Sequence, residues 1–349
     1  MLVYWILLSV PIYFLLGKAY NGANTPRWVW LTFGSFLLIL IGLRHQVGCD
    51  WLAYTEGLEF TKEAPWEVIY DLRNEVGYTL LSWLSLFFGF GIYGVNFFCA
   101  FIFSGGLISL SRAQPYPWLS ILVAIPYLVI VVAMGYTRQA AAIGLLMYGF
   151  VYLLRGKIAL HLACVLSAGL FHKTAFVFAA LALLKPGGSK LKKTLGVGLI
   201  VSMIGGAYFL EQAESFMLNY VGHTMKSDGG QIRVLMSCLP ALIFFWYWEK
   251  WGQKFEDRWL FGVMSLLSIM CLPLVAIAST AVDRMALYLI PLQLVVWARF
   301  PMLVQGHIER NSAILMIIAY SAVVQFTWLF FGTHAGCWVP YENLLFPSF

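Results

Sequence analysis

Charged side chains are scarce in this chain. Asp, Glu, Lys and Arg together make 11% of its 349 residues, against 61% hydrophobic and 17% aromatic residues, with a mean hydropathy of +0.80. Soluble domains carry about a quarter of their residues as charged groups, so that class is excluded. Cysteine is sparse too: Cys49, Cys99, Cys164, Cys238, Cys271 and Cys337 stand singly, without a CxxC pair or metal-ligand spacing. Most lie in apolar runs, where the thiol behaves as a small hydrophobe, and the reading is no disulfide framework and no metal site. No DxD pair, no GxxxxGK[ST] and no HExxH occurs, which argues against a metal-dependent nucleotide-sugar enzyme and against an ATPase. The net charge of +6 comes from basic residues spread over short loops rather than clustered with aromatics, so no nucleic acid partner is expected.

Apolar runs, by contrast, recur from Met1 to Phe331, each bounded by charges, Pro or Gly. That pattern predicts an all-α, polytopic transmembrane helical bundle with about 10–12 membrane helices, forming a single integral membrane domain over 1–349. The expected spans are 1–17, 28–43, 92–111, 118–134, 138–154, 194–210, 234–248, 259–278, 285–298 and 311–331. The first has no basic residue ahead of it and no small-residue cleavage site, so it reads as a retained span. Segments 158–171 and 174–184 are each too short to cross and meet at His172–Thr174, which predicts a broken helix or hairpin turning within the membrane. Segment 76–90 is also short and reads as interfacial or re-entrant.

The positive-inside rule orients the chain. With the loops at 18–27, 112–117, 155–157, 185–193, 249–258 and 299–310 in the cytoplasm, that side holds 14 of the 22 Lys and Arg. The other side then holds eight basic residues, 12 of the 16 acids and one long loop, about 44–75, with smaller segments at 211–233 and 332–349.

Five of those eight basic residues are arginines: Arg44, Arg73, Arg138, Arg233 and Arg284. A guanidinium at the edge of hydrocarbon is costly unless it is paired or faces an anion, and its planar fork suits phosphate oxygens. The bland alternative is snorkelling to head groups or pairing with a neighbouring carboxylate. In RHQVGCDWLAY, Gly48 permits a tight turn that would return Asp50 towards Arg44, either as a plain ion pair or with Arg44 on a phosphate and Asp50 beside it. His172, in SAGLFHKTAF, is a candidate general base or a hydrogen-bonded structural group. Asp283 and Arg284 are adjacent on a helix and therefore face different partners. Glu75 is a carboxylate at the interface, with helix capping as its plain role. Trp51, Tyr54, Trp66, Tyr70, Tyr78 and Tyr136 suit either sugar stacking or interfacial anchoring.

Taken in order, RHQVGCDWLAY, NEVGY, GYTRQAAAIGL, GLFHKTAF, DRMALY and WVPYENLLF resemble the EpsG family of membrane polysaccharide polymerases, which belongs with the Wzy-type polymerases of bacterial surface glycans. Arg44, Asp50, Arg138, Gln139, His172 and Arg284 match the family's recurrent positions; Arg233 falls in no matched motif, and Cys49 stands where a small or hydroxylated residue is expected. The resemblance implies a multi-pass protein of the bacterial inner membrane whose periplasmic site joins undecaprenyl-pyrophosphate-linked oligosaccharides, donor and acceptor alike. It implies no cofactor and no metal, with membrane lipid, a flippase and a chain-length regulator as further partners. His172 and Asp50 are then the candidate bases, Arg44, Arg138 and Arg284 the pyrophosphate ligands, and Gln139, Tyr54, Glu75, Asp283 and Arg233 supporting residues. A glycan ligase would use the same donor. A lipid-linked oligosaccharide flippase is a rival of another class, although charges gathered at one face fit a transport path poorly.

Overall fold

Inside hydrocarbon an unpaired backbone N–H or C=O costs several kcal/mol, and a helix is the way one segment satisfies its own groups. The computed structural model describes residues 1–17, 25–65, 67, 75–185, 194, 197, 229–277 and 279–346; among these there is no strand. The expected span 194–210 apart from Thr194 and Val197, most of the lysine-rich stretch 185–193, and Trp66, Tyr70 and Arg73 lie outside the described residues.

We label the helices in chain order as α1 (Leu2–Leu16), α2 (Arg27–Gly42), α3 (Trp51–Glu63), α4 (Val76–Phe87), α5 (Gly91–Arg112), α6 (Pro117–Ala133) and α7 (Thr137–Leu154). They continue with α8 (Ile158–Phe171), α9 (Lys173–Leu184), α10 (Gly230–Trp246), α11 (Trp248–Lys254), α12 (Arg258–Leu274), α13 (Ser279–Leu303) and α14 (His307–Phe331). Four of them, α5, α7, α13 and α14, are each long and apolar enough to cross a membrane, and α10 with α11, bent by 74°, adds a fifth candidate. Together with seven shorter apolar helices they form the all-α, polytopic membrane architecture that the hydropathy predicts.

The centre of the bundle is α6, buried from Pro117 to Ala133 apart from Tyr127, which is partly covered. Pro126 has no N–H to give, and from Ile125 to Ala133 the helix widens into π turns, a common response to a broken ladder. Helix α13 packs on it, whereas α14 sits at the edge with Leu315, Met316 and Val323 exposed as a lipid-facing surface. Helices α5 and α7 approach closely because neither carries a side chain at the crossing: a Cβ on Gly106 would lie 2.1 Å from the carbonyl oxygen of Gly144.

The broken segment is a hairpin. His172 is extended, with φ −156° and ψ 113°, between α8 and α9. The imidazole of His161 on α8 lies 3.3 Å from the carbonyl oxygen of Phe178 on α9, and Lys185 donates to the carbonyl of Leu154, so the chain returns to the end it left. Segment 76–90 becomes α4, about 18 Å long at 1.5 Å per residue and too short to cross, followed by left-handed Gly89 and Gly91.

Polar groups separate to two ends. At one end Arg299 donates to Asp257 at 2.7 Å and to Gln114 at 2.8 Å, Lys254 donates to the carbonyl of Met302, and Arg27, Arg112 and Arg155 lie near one another. At the other end lie Arg44, Asp50, Glu75, Arg138 and Arg284.

The segment after α14 laces this second end together, and it corrects the reading of the cysteines: Cys49 and Cys337 form a disulfide, with Cα atoms 5.1 Å apart and 288 positions between them in sequence. Around it Gly48 N donates to Cys337 O at 2.8 Å, His45 N to Glu342 O at 2.9 Å, and Leu344 N to Leu43 O at 2.8 Å. Trp338 donates its indole N–H to Ile130 O in the π segment at 2.7 Å, and Tyr341 its hydroxyl to Leu40 O at 2.8 Å. The fold thus brings together two cysteines that no local spacing could pair.

Candidate functional site

The site begins at the turn after α2. Gly48 adopts φ +100°, and a Cβ there would lie 2.6 Å from the carbonyl oxygen of Met134, so both conformation and space demand glycine. This turn starts α3 with Asp50 at its N-cap position. It does not form the Arg44–Asp50 pair allowed by the sequence: the charges acting on Asp50 are those of Arg284 and Arg138. Burial pushes the Asp50 carboxyl above the usual carboxylate range, and the two guanidinium groups draw it back only in part.

Arg138 stands at the start of α7 with its side chain about half exposed. Its Nη1 donates to Glu75 Oε2 at 2.7 Å. Its guanidinium lies 5.6 Å from the ring centre of Tyr54 and 5.7 Å from that of Tyr78, so two rings and one carboxylate fix its plane. Glu75 makes no side-chain cap bond to α4; its carboxylate is spent on Arg138. Burial holds the Glu75 carboxyl above its ordinary value, opposed by Arg138 first and by Lys173 and Arg284 more weakly.

Asp283 and Arg284, neighbours on α13, do face different ways. Asp283 is bound bidentately by Arg233 of α10, at 2.8 Å to Oδ1 and 2.5 Å to Oδ2, which spends both partners on joining two helices. Arg284 is exposed and has no carboxylate partner among the described residues. Its main chain is held from α7, where the buried Gln139 donates to the Arg284 carbonyl at 2.7 Å.

His172, at the tip of the α8–α9 hairpin, lies within electrostatic reach of both Arg138 and Arg284. Its Nδ1 is 2.7 Å from the hydroxyl of Thr174 and its ring is 5.9 Å from that of Tyr288. Nε2 has no partner among the described residues. Five elements therefore bring Asp50, Glu75, Arg138, His172 and Arg284 to one place, with Tyr54 and Gln139 orienting the arginines.

Arg44 is not in this group. It is 1% exposed, and its donors go to the carbonyls of Val47 at 3.4 Å and Ile41 at 2.6 Å, to Asn96 at 3.2 Å and to Thr137 at 2.7 Å. Those bonds tie the end of α2 to α5 and α7. Buried and so engaged, Arg44 joins three helices beside the start of α7, from which Arg138 projects. Sequence reasoning missed Asn96 and Thr137, although a lone Asn in an apolar run was the available signal. It also missed Thr174, which orients His172 from two positions away.

Comparison with curated proteins and with solved structures returns no match. The sequence pattern of the EpsG family fits residues 27–343, a stretch that contains every site residue named above. Since that match covers most of the chain and all of the converging charges, the protein belongs to the EpsG family.

Proposed function

We propose that the protein is a glycan polymerase that joins oligosaccharide repeat units carried on undecaprenyl pyrophosphate, as expected of a Wzy-type enzyme. The observation that carries this reading is the meeting of two arginines from different helices, Arg138 and Arg284, with Asp50 and His172, the Arg284 guanidinium being without a carboxylate partner among the described residues. Paired guanidinium groups at one place suit a diphosphate, whose charge grows as it leaves the sugar.

In this reaction the acceptor hydroxyl oxygen forms a bond to the anomeric carbon of the donor sugar. The bond from that carbon to the pyrophosphate oxygen breaks, and both of its electrons leave with undecaprenyl pyrophosphate. Arg284 and Arg138 hold the departing charge. The hydroxyl proton passes to Nε2 of His172, in the tautomer whose Nδ1–H donates to Thr174. Asp50, half-buried and facing both arginines, is the second candidate base. Tyr54 and Tyr78 offer ring faces beside Arg138 for sugars.

The disulfide at this end supports placing the site on the oxidising side of a bacterial inner membrane, the periplasm, since such bonds persist there and not in the cytosol. The test uses purified protein in proteoliposomes supplied only with lipid-linked repeat units. A ladder of lengthened glycans is expected, and Arg138→Lys should shorten it because a point charge cannot replace the bidentate fork. Transfer only to a different added acceptor would make the protein a ligase. Movement of labelled lipid across the bilayer without lengthening would make it a flippase.

A further inference from the structure

The described residues line a half-open cavity of about 700 Å³ among α2, α5 and α7, at the opposite end of the bundle from the candidate site. The polarity of the three helices fixes that placement. Arg44 pins the end of α2 to Asn96 near the start of α5 and to Thr137 at the start of α7. Arg27 begins α2, Arg112 ends α5 and Arg155 follows α7, so the three converge on the far side, where all line the cavity. All three are exposed, and among the described residues none has a carboxylate partner.

The walls between them are of another kind. Leu31 and Phe101, 71% and 62% exposed, flank the opening and face outward like other lipid-facing residues of the bundle. Deeper in, the hydroxyl of Ser104 is buried, with the residue 3% exposed, and has no hydrogen-bond partner although it lines the cavity. A volume of several hundred Å³ is the size of a ligand site.

We infer that this cavity is a binding site for an anionic phospholipid, with its phosphate held by Arg27, Arg112 and Arg155, an acyl chain lying past Leu31 and Phe101, and a lipid ester oxygen accepting from Ser104. Charge and shape favour this occupant over a soluble anion: three unpaired guanidinium groups recognise phosphate, and a mouth open sideways between apolar side chains admits a chain from the bilayer. Basic pockets between membrane helices select such head groups. The site does not depend on the polymerase reading, because it shares no residue with the group around Arg284.

Native mass spectrometry of the full-length protein, released from detergent after titration with phosphatidylglycerol or phosphatidylcholine, tests it. Phosphatidylglycerol should bind about a hundredfold more tightly, the preference given by three guanidinium contacts. The variant R27Q/R112Q/R155Q should reduce that preference to near unity. Ser104→Ala should weaken phosphatidylglycerol binding several-fold without lowering the Tm, whereas a purely structural serine without a partner would leave binding unchanged. The proposal is overturned if wild-type protein does not discriminate between the two lipids, or if both variants bind phosphatidylglycerol as wild type does. It is likewise overturned if inorganic phosphate displaces the lipid at equal concentration, or if a polyprenyl phosphate is retained in preference to it.

Discussion

Gln139 donates a hydrogen bond to the main-chain carbonyl of Arg284 at 2.7 Å, so the residue that follows Arg138 on one helix fixes the position of the second arginine on another. The main chain of Arg284 is thereby anchored to α7 by a buried amide. Gln139→Leu should leave the protein in the membrane with its disulfide formed, yet cut polymerisation by about tenfold or more, since small misplacements of positioned groups are costly. Arg284→Gln should cost about a hundredfold or more, the usual effect of losing one donor to a developing anion. Ladder assays on both variants check the order; equal rates in Arg284→Gln and wild type would remove Arg284 from the pyrophosphate site.

Acid should separate activity from stability. Asp50 and Glu75 are both held by burial above the ordinary carboxylate range of about 4. Because their folded values lie above the unfolded ones, their contribution to stability is fully present below the unfolded pKa and is lost as pH rises through the folded one. Activity follows the opposite sign. As pH falls through the raised values the carboxyls take up protons, Glu75 releases Arg138, and Asp50 no longer carries charge beside the arginines. Chain extension should therefore decline on acidification before the Tm does, with the limb above the ordinary carboxylate range. Glu75→Gln should lower the plateau and remove its share of that limb; an unchanged profile in Glu75→Gln would assign the limb elsewhere.

Arg44 is expected to behave as a structural residue. Its removal leaves the carbonyls of Ile41 and Val47 and the side chains of Asn96 and Thr137 without their donor inside the bundle. Losing a buried charged partner costs about 2–3 kcal/mol or more, so Arg44→Ala should lower the Tm and the yield of folded protein. Arg44→Lys should recover part of the stability. If Arg44→Ala melts normally and yet makes no ladder, the residue belongs with the phosphate ligands.

How far the sequence disclosed this arrangement depends on the range of each interaction. The helices are legible because hydropathy is a local property, and the break at His172 because two apolar halves were each too short to cross. The separate partners of Asp283 and Arg284 follow from helical geometry alone. Arg44 misled because its motif shows only what lies beside it in the chain, whereas its role is decided by Asn96 and Thr137, which are 52 and 93 positions away. Cys49 and Cys337 were hidden in the same way, since a pairing across nearly the whole chain leaves no local spacing to read. Arg138 shows the intermediate case: a cation at a span end was expected to face an anion or a carboxylate, and it has Glu75 at 2.7 Å with the rings of Tyr54 and Tyr78 beside it.

The disulfide is one of several restraints on the segment after α14, and its removal should reveal that. Trp338, Tyr341 and the main chain of Cys337, Glu342 and Leu344 are also held by hydrogen bonds of their own. The gain from cross-linking comes largely from limiting the unfolded chain, and membrane helices already limit it. Cys49→Ser should therefore lower the Tm by a few degrees and leave a substantial part of the activity. Trp338→Ala, which removes a buried ring and its bond to Ile130, should cost more, about 3–5 kcal/mol. Thermal melts of the two variants side by side decide between them, and a larger loss in Cys49→Ser would make the disulfide the main restraint.

Thr174 gives the sharpest test of His172. When the Thr174 hydroxyl, 2.7 Å from Nδ1, accepts from Nδ1–H, it holds the tautomer that leaves Nε2 free to accept a proton. Thr174→Val keeps the shape and removes the acceptor, so the ring would sample both tautomers. Turnover should fall several-fold while KM for the lipid-linked unit stays near its wild-type value, and Thr174→Ser should restore most of the rate. His172→Gln can hydrogen-bond but cannot take the proton, so it should lose about 10²–10⁴ in rate, the span assigned to a general base. A His172→Gln protein that makes full-length ladders would transfer the role to Asp50, and Asp50→Asn would then show that loss instead.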